Sequence, residues 1–210
     1  MEQRYAELHA HSAFTFLDGT DEPAQMVAEA ARLGLDALAI LDVDGMYSTV
    51  QTTVAARDVG LPIVYGAELT LTPDALRGII PGTQAPGWGL VPGADDPGIR
   101  LPVLAQSPTG YANLVGAMSE RALSAPGERN PCHSLVDLSV AGGDLIVLTG
   151  GRRGPLMRAL RAGGTVSARR VLDGLVDTFG RDQVLVEWQA ARGDEGEVGD
   201  TLAELACASG

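Results

Sequence analysis

The sequence contains no lysine and little cysteine, and it has no long hydrophobic run. All 15 basic residues are arginine, which, with the abundant alanine and glycine, reflects genomic base composition rather than chemistry. The two cysteines, Cys132 and Cys207, have no CxxC spacing, so neither a disulfide framework nor a structural zinc site is indicated. No apolar run is long enough to span a membrane and the first residues are unlike a signal peptide, so we expect a cytoplasmic protein.

Positive charge is also scarce. The formal net charge is −12 over 210 residues, whereas a surface that binds nucleic acid is normally basic because it must neutralise phosphates. We therefore expect this acidic domain on its own to be a poor DNA binder. The composition, 45% apolar and 20% charged, predicts a buried core and excludes a disordered chain.

Short apolar strands alternate with helical stretches along the chain, which predicts an α/β fold with a mostly parallel sheet. Pro102 weakens the fourth strand or places it at an edge or bulge. Helix 23–33 has Asp21 or Glu22 as its cap, Pro23 in its first turn and Gly34 at its end. The predicted strands are 5–11, 36–42, 61–69, 100–106, 143–151 and 182–188. The predicted helices are 23–33, 48–58, 107–123, a short one after 134, 167–180 and about 196–208.

One long segment has no regular pattern, and two common nucleotide-binding motifs are absent from the sequence. Residues 72–99 are dense in proline and glycine and are interpreted as a long surface loop. The chain has no GxGxxG motif after its first strand and no GxxxxGK[ST] motif, so nucleotide-binding folds of those types are disfavoured.

Candidate metal ligands follow the predicted strands. His9 and His11 lie two residues apart on the first strand, so their side chains share one face. Asp18 follows in "FLDG" and Glu68 ends the third strand in "GAEL". In both common parallel α/β architectures such strand ends converge, and this donor set suits zinc, manganese or iron and the hydrolysis of phosphate esters.

The segments "ELHAHSAFTFLDG", "LGLDALAILDVDGMYSTV", "LPIVYGAEL", "LPVLAQSPTGYANL" and "LIVLTGGRRG" occur in this order. Together they resemble the PHP (polymerase and histidinol phosphatase) domain at the N-terminus of bacterial C-family DNA polymerases, the DNA polymerase III alpha subunits. They are most similar to the error-prone paralogue. The resemblance implies a distorted, TIM-like (β/α)7 barrel, lacking its last strand within 1–210, with up to three metal ions on nine ligands. In intact members this site supports a 3′–5′ exonuclease or phosphoesterase.

Carried over residue by residue, the resemblance indicates a degenerate site. His9, His11, Asp18 and Glu68 match ligands and form a residual set, weak or empty, that would take zinc or manganese. Three further ligand positions are replaced by residues with no suitable donor: Val43, Arg100 and Gly151. The closing DxH pair would lie beyond residue 210.

Arg100 carries a sharper hypothesis. Two carboxylates close together without a metal repel each other, and a guanidinium could replace the missing cation. We therefore predict that Arg100 contacts Glu68 or Asp18, the alternative being an exposed arginine at a loop end.

Other polar residues near these positions have simpler interpretations. Asp42 and Asp44 are expected to cap and shape the turn before Gly45. His133 is expected at the surface. The pair Arg152–Arg153 could face phosphate at a strand end, although a solvated turn is the favoured interpretation.

The resemblance implies a structural domain of an error-prone, translesion DNA polymerase that acts in DNA replication and damage repair. The magnesium-dependent nucleotidyltransferase chemistry would lie in later domains, and the polymerase body and repair accessory proteins would be the partners. One alternative is an autonomous PHP-type phosphoesterase or 3′–5′ exonuclease. Another is a binding module that docks repair proteins through residues 72–99.

Overall fold

A computed structural model describes most of the chain. The described residues are 4–72, 75–76, 98–124, 132–140, 143–189 and 196–209. Most of the predicted loop 72–99, and the central part of the loop that follows the third long helix, lie outside these ranges. No described helix is long and apolar enough to cross a membrane.

Strands and helices alternate along the described chain, which confirms the α/β fold. The strands are β1 Ala6–Ala10, β2 Ala37–Ile40, β3 Ile63–Val64, β4 Gly66–Leu71, β5 Ile99–Ala105, β6 Leu145–Leu148 and β7 Val184–Leu185. The helices are α1 Pro23–Leu33, α2 Thr49–Val59, α3 Pro108–Ser124, α4 Leu135–Val140, α5 Pro155–Phe179 and α6 Glu197–Ser209. A single 3-10 turn, Arg181–Gln183, precedes β7.

The strands form two sheets that meet at the site. One has the order β1-β2-β3 and the other β4-β5-β6-β7. An isolated parallel bridge between Val43 and Glu68 links the end of β2 to β4. The predicted single strand 61–69 is thus divided at Tyr65 into β3 and β4, which pair in different sheets. This division turns Glu68 toward the end of β1.

The fourth predicted strand, β5, corrects the expectation for Pro102. It runs antiparallel to both β4 and β6 and lies between them, so it is neither an edge strand nor bulged against β4. The Arg100 N–H donates to the Arg153 carbonyl oxygen, and alternate residues of a strand point their backbone groups the same way. Pro102 therefore faces away from β4, where its missing N–H breaks no bond of the β4–β5 ladder.

Helix α1 matches its predicted bounds because its end signals are strong. Glu22 caps it through a capping box with Gln25, and Pro23 occupies the first turn. Gly34 ends the helix with φ of 71°, a left-handed conformation that a glycine adopts without steric cost.

Helix α5 begins much earlier than predicted. The sequence indicated a helix over 167–180, whereas α5 starts at Pro155 and contains a kink at Gly163 and Gly164, both of which have non-helical dihedral angles. The two glycines interrupt the apolar period and hide the first segment from a periodicity search. That first segment lies directly beside the candidate site.

Three buried apolar clusters hold the strands in place. The largest packs β4, β5 and β6 against α3, α4, α5 and α6, and its most buried side chains include Leu69, Leu101 and Leu172. The second packs β1 and β2 against α1 and α2 around Val27 and Leu38. The third packs β2 against β5 and β6, and so it joins the two sheets.

His133 is buried, contrary to the expectation of a surface residue. Its side chain is 2% exposed, and its backbone pairs with β4 through the Thr70 oxygen and the Thr72 N–H. The sequence around His133 is polar, but the bridge that its backbone forms with Leu71 of β4 places the residue in a buried position.

Candidate metal centre

Three of the predicted ligands converge at the end of β1 and inside β4, where Glu68 is an interior residue and not the strand end that the sequence predicted. Ligand atoms of His9, His11 and Glu68 lie within 4.8 Å of one another. Glu68 receives an imidazole on each oxygen: Oε1 lies 3.3 Å from His9 Nε2 and Oε2 lies 3.2 Å from His11 Nε2. Neither contact has hydrogen-bond alignment, since both Nε2 atoms lack a hydrogen-bond partner. The attraction across these two contacts is therefore Coulombic.

Arg100 reaches the same carboxylate, so the predicted contact is confirmed. Its Nη1 lies 3.4 Å from Glu68 Oε2, and both side chains are buried. Arg100 stands opposite Thr70 in the β4–β5 register, which places it beside Glu68 on the next strand. A buried guanidinium at this position supplies positive charge to a buried carboxylate.

His9 is held from behind by two residues that the sequence did not single out. Its Nδ1 lies 2.7 Å from Glu187 Oε1 and 3.1 Å from Gln189 Nε2. The Gln189 amide also donates to Glu187 Oε1 at 2.8 Å, and the Glu187 N–H donates to Thr149 Oγ1. A carboxylate behind a histidine fixes the orientation of its ring. The position of Glu187 near a strand end was the signal that could have identified it.

The charges of the cluster shift two pKa values in opposite directions. Burial alone would lower the pKa of His9, but the carboxylates of Glu187 and Glu68 outweigh it and raise that pKa to about 9. Burial alone would raise the pKa of Glu68, but the imidazoles of His11 and His9 outweigh it and lower that pKa to about 2. At neutral pH, His9 is therefore a cation and Glu68 an anion.

The predicted ligand position Gly151 is filled by another side chain. A Cβ built on Gly151 would lie 2.0 Å from Gln189 Oε1. No side chain fits at position 151 while Gln189 stays where it is. The glutamine amide thus occupies the space beside His9 that a ligand on residue 151 would need.

Asp18 lines the same cavity but lies apart from the three-residue cluster. Its Oδ2 accepts a hydrogen bond from Arg153 Nη1, which ties the loop after β1 to the loop after β6. Val43 lies at the end of β2, bridged to Glu68 through the backbone, and its side chain has no atom that can bind a metal.

Asp42 and Asp44 do not only shape the predicted local turn; their carboxylates accept hydrogen bonds from residues far away in the sequence. Asp42 is 1% exposed, and its Oδ1 accepts three hydrogen bonds from Ser12 N–H, Ser12 Oγ and Thr15 Oγ1. Asp44 has φ of 51° and accepts from both the N–H and the hydroxyl of Thr70, each at 2.6 Å. The two carboxylates fasten β2 to the loop after β1 and to β4.

The ligand atoms present at the cluster show how well it suits a metal ion. Two imidazole nitrogens and one carboxylate oxygen, with both Nε2 atoms buried and lacking hydrogen bonds, could hold one zinc or manganese ion, which would act as a Lewis acid when bound. The guanidinium of Arg100 lies on that same carboxylate and would repel a cation. Asp18 is engaged by Arg153. The described residues therefore offer one three-donor site and not a three-metal centre.

The cavity above the cluster has a volume of about 580 Å³ and a basic wall. Arg152 and Arg153 form a solvent-accessible turn after β6, as the favoured interpretation predicted, and this turn lines the cavity. The rest of the wall comes from the first segment of α5, which carries Arg158 and Arg161. The last two lie three residues apart on one helical face, a spacing that could have indicated them had the helix been recognised. The complete lining is His9, His11, Asp18, Glu68, Gly151, Arg152, Arg153, Arg158, Arg161 and Gln189.

An α/β fold in which two histidines after β1 meet a glutamate of β4 is typical of PHP-type barrels. The chain belongs to the PHP domain family, whose pattern matches residues 7–191.

The chain is similar to proteins named error-prone DNA polymerase from several bacteria. The protein of that name from Mycolicibacterium paratuberculosis is 44% identical over 184 residues, which is 87% of this chain and 16% of that protein. The one from Cutibacterium acnes is 40% identical over 205 residues, 96% of this chain and 17% of that protein. The one from Nocardia farcinica is 38% identical over 217 aligned positions, 87% of this chain and 18% of that protein. The chain thus spans less than one fifth of the length of these relatives.

Proposed function

We propose that this chain is the N-terminal PHP domain of an error-prone, translesion DNA polymerase, and that it serves the polymerase as a structural module with a largely inactive metal centre. The observation that carries the proposal is the Arg100–Glu68 contact at 3.4 Å. A protein cation now lies where the retained carboxylate would otherwise need a metal.

Other contacts support a self-neutralised centre. Each retained ligand has a partner within the protein: His9 faces Glu187, His11 faces Glu68, and Asp18 faces Arg153. The contacts of His9 with Glu187 and Glu68 are buried, and buried ion pairs are costly to form but strongly destabilising to break. We infer that selection for the shape of the barrel, and not for hydrolysis, keeps these residues together.

An error-prone polymerase gains little from removing its own insertions, which is consistent with a domain that braces the polymerase body in DNA replication and repair. The DNA-polymerising activity, its magnesium ions and any repair accessory proteins belong to the longer protein that the relatives represent. A protein with this role in DNA replication and repair would act in the cytoplasm.

Metal analysis of the purified chain tests the proposal. We expect well under one equivalent of zinc or manganese after exposure to each metal and gel filtration, and no hydrolysis of a phosphodiester substrate above a chelator-treated sample. Stoichiometric metal with hydrolysis that a chelator abolishes would favour the alternative, an autonomous PHP phosphoesterase or 3′–5′ exonuclease. His9→Ala is the matched variant, since it should change neither result if the centre is inactive.

A further inference from the structure

One strand edge of this fold has no strand beside it. β3 is the last strand in the order β1-β2-β3, and the chain after Tyr65 continues as β4, which pairs with β5 in the other sheet. Among the described strands, none pairs with the outer edge of β3. Such an edge presents backbone donors and acceptors that can pair with another extended segment.

The bonds between β2 and β3 show which groups on that edge are open. The Leu38 N–H donates to the Pro62 oxygen, and Leu38 pairs with Ile63 in the parallel register. In this phase Pro62 and Val64 direct their carbonyl oxygens toward β2, so the N–H and the oxygen of Ile63 point to the outer edge. In the described part of the chain, neither of these two groups has a hydrogen-bond partner.

The open edge borders a cavity of about 590 Å³, which we call the β3 cavity. Ile63 and Val64 line it from β3, Thr53 from α2 and Tyr111 from α3. Its volume lies within the range of ligand-binding clefts, about 300–1,000 Å³. No described residue lines both the β3 cavity and the cavity above the metal cluster, so the two are separate features of the fold.

Two tyrosines form a fixed wall of the β3 cavity. The rings of Tyr65 and Tyr111 meet edge to face, with centroids 5.7 Å apart and an interplanar angle of 75°. The Tyr65 hydroxyl lies 2.9 Å from Thr53 Oγ1. Because that Thr53 hydroxyl donates to the Thr49 oxygen, the Tyr65 hydroxyl is the donor to Thr53. Tyrosines are enriched among the residues that dominate binding at protein interfaces, and rings already held in place lose little entropy on binding.

We propose that the β3 cavity binds an extended peptide segment, which adds to β3 as a further strand and comes from the polymerase body of the longer protein. Peptides that add to a sheet edge gain affinity from main-chain hydrogen bonds and specificity from pockets for alternate side chains. Here Ile63 supplies one donor and one acceptor, and the ring pair of Tyr65 and Tyr111 lines a pocket for an apolar side chain. The inference rests on the function proposed above, because it names the surface through which the domain holds the polymerase body.

The small number of open groups favours an occupant from the same protein. Two main-chain hydrogen bonds and one aromatic pocket give little affinity for a free peptide, since the net gain from each hydrogen bond is small. A segment tethered in the same protein meets the site at a high effective concentration, which offsets a weak intrinsic affinity. The matched part is only 16–18% of the length of the similar polymerases, so the remainder has ample chain to supply such a segment.

NMR titration of the isotope-labelled 210-residue chain tests the proposal. The probes are overlapping peptides of about 15 residues, longer than a typical strand, that cover the unmatched part of the Mycolicibacterium paratuberculosis relative. We expect at least one peptide to bind with a Kd of about 1 mM or lower. The amide signal of Ile63 should move downfield, because its N–H gains an acceptor.

Two versions of that peptide, N-methylated at alternate residues in opposite phases, test the strand pairing without changing the protein. A strand directs alternate N–H groups to opposite edges, so one version keeps the donor that faces Ile63 and the other loses it. The first should bind within about threefold of the unmodified peptide and the second at least about tenfold more weakly, because it lacks a main-chain hydrogen bond.

Tyr111→Ala tests the pocket, with Tyr47→Ala as its matched control, because Tyr47 is an exposed tyrosine that does not line the β3 cavity. Loss of an aromatic anchor should weaken peptide binding about tenfold or more, whereas Tyr47→Ala should leave it unchanged. Equal effects of the two substitutions would contradict the pocket.

Three further results would overturn the proposal. They are an unmoved Ile63 amide with every peptide, equal binding of the two N-methylated versions, and a molecular mass that rises with protein concentration but stays monomeric in Tyr111→Ala. The last result would show that a second copy of the chain occupies the cavity. None of them alters the expected metal content or hydrolysis, so this inference can fail while the structural role stands.

Discussion

Arg100 Nη1 lies 3.4 Å from Glu68 Oε2, on the carboxylate that His9 and His11 also approach. Four charged or chargeable groups from β1, β4 and β5 are thus held together by attraction within the protein. The electrostatics of this cluster, and the contacts that hold the loops around it, yield four predictions.

Replacing Arg100 by methionine should destabilise the fold. The substitution keeps much of the side-chain volume but leaves the Glu68 carboxylate with less counter-charge in a buried site, which typically costs about 3 kcal/mol. The free energy of unfolding, measured with urea, checks this loss. Arg57→Met on the exposed face of α2 should change that free energy by less than about 0.5 kcal/mol. Equal stability of the two variants would mean that Arg100 is not needed as a cation.

Restoring the substituted ligand positions should restore metal binding. The chain carrying Val43→His, Arg100→His and Gly151→Cys, with Gln189→Ala to clear the space that Gln189 fills, gains three donors and loses the competing guanidinium. We expect at least one equivalent of zinc by elemental analysis, against much less in the unmodified chain.

The control for the restored chain adds the thiol elsewhere. Gly116 lies on α3, where a Cβ added to the backbone would meet nothing within 4 Å, so Gly116→Cys introduces a cysteine far from the cluster without steric conflict. It should bind no more zinc than the unmodified chain. Equal zinc in both would show that the retained residues alone determine metal content.

His133 should make the fold sensitive to mild acid. Burial lowers its pKa below the usual 6.5, and Asp44 only partly opposes that shift. The unfolded chain then binds more protons than the folded chain below pH 6.5, so this contribution to stability is lost as pH falls. Urea unfolding between pH 5 and 6.5 should show the loss, and His133→Gln should flatten it.

His9 cannot produce the same slope, because its pKa is raised to about 9. Its contribution to stability is complete below pH 6.5 and is lost as pH rises toward 9. Leu123→Ala changes no titratable group and should keep the slope of the unmodified chain. An acid slope that persists in His133→Gln would assign it to other groups.

Asp42→Ala should loosen the loop that carries Phe16. Three hydrogen bonds converge on Asp42 Oδ1 from Ser12 and Thr15, and leaving buried donors without an acceptor costs about 1–3 kcal/mol. Amide hydrogen exchange should accelerate over residues 12–19 more than in α1. Asp21→Ala, at an exposed position beside the same loop, is the comparison. Unchanged exchange in Asp42→Ala would show that the turn holds without its anchor.

Local signals in the sequence determined the individual elements. The bounds of α1 follow from Glu22, Pro23 and Gly34, which act on the backbone within one turn. The pair His9 and His11 is likewise local, since residues two apart on a strand share a face. Asp18 and Glu68 were candidates from their positions next to predicted strands, and the resemblance to the PHP domain identified Val43, Arg100 and Gly151 as lost ligand positions.

Only the tertiary structure decided how those elements meet. The antiparallel direction of β5, the division of strand 61–69 at Tyr65 and the burial of His133 depend on partners far along the chain, to which no local pattern refers. Gln189 fills the space at Gly151 although 38 residues separate them in sequence. The sequence thus determined which groups are present, and the packing of distant strands decided which of them face each other.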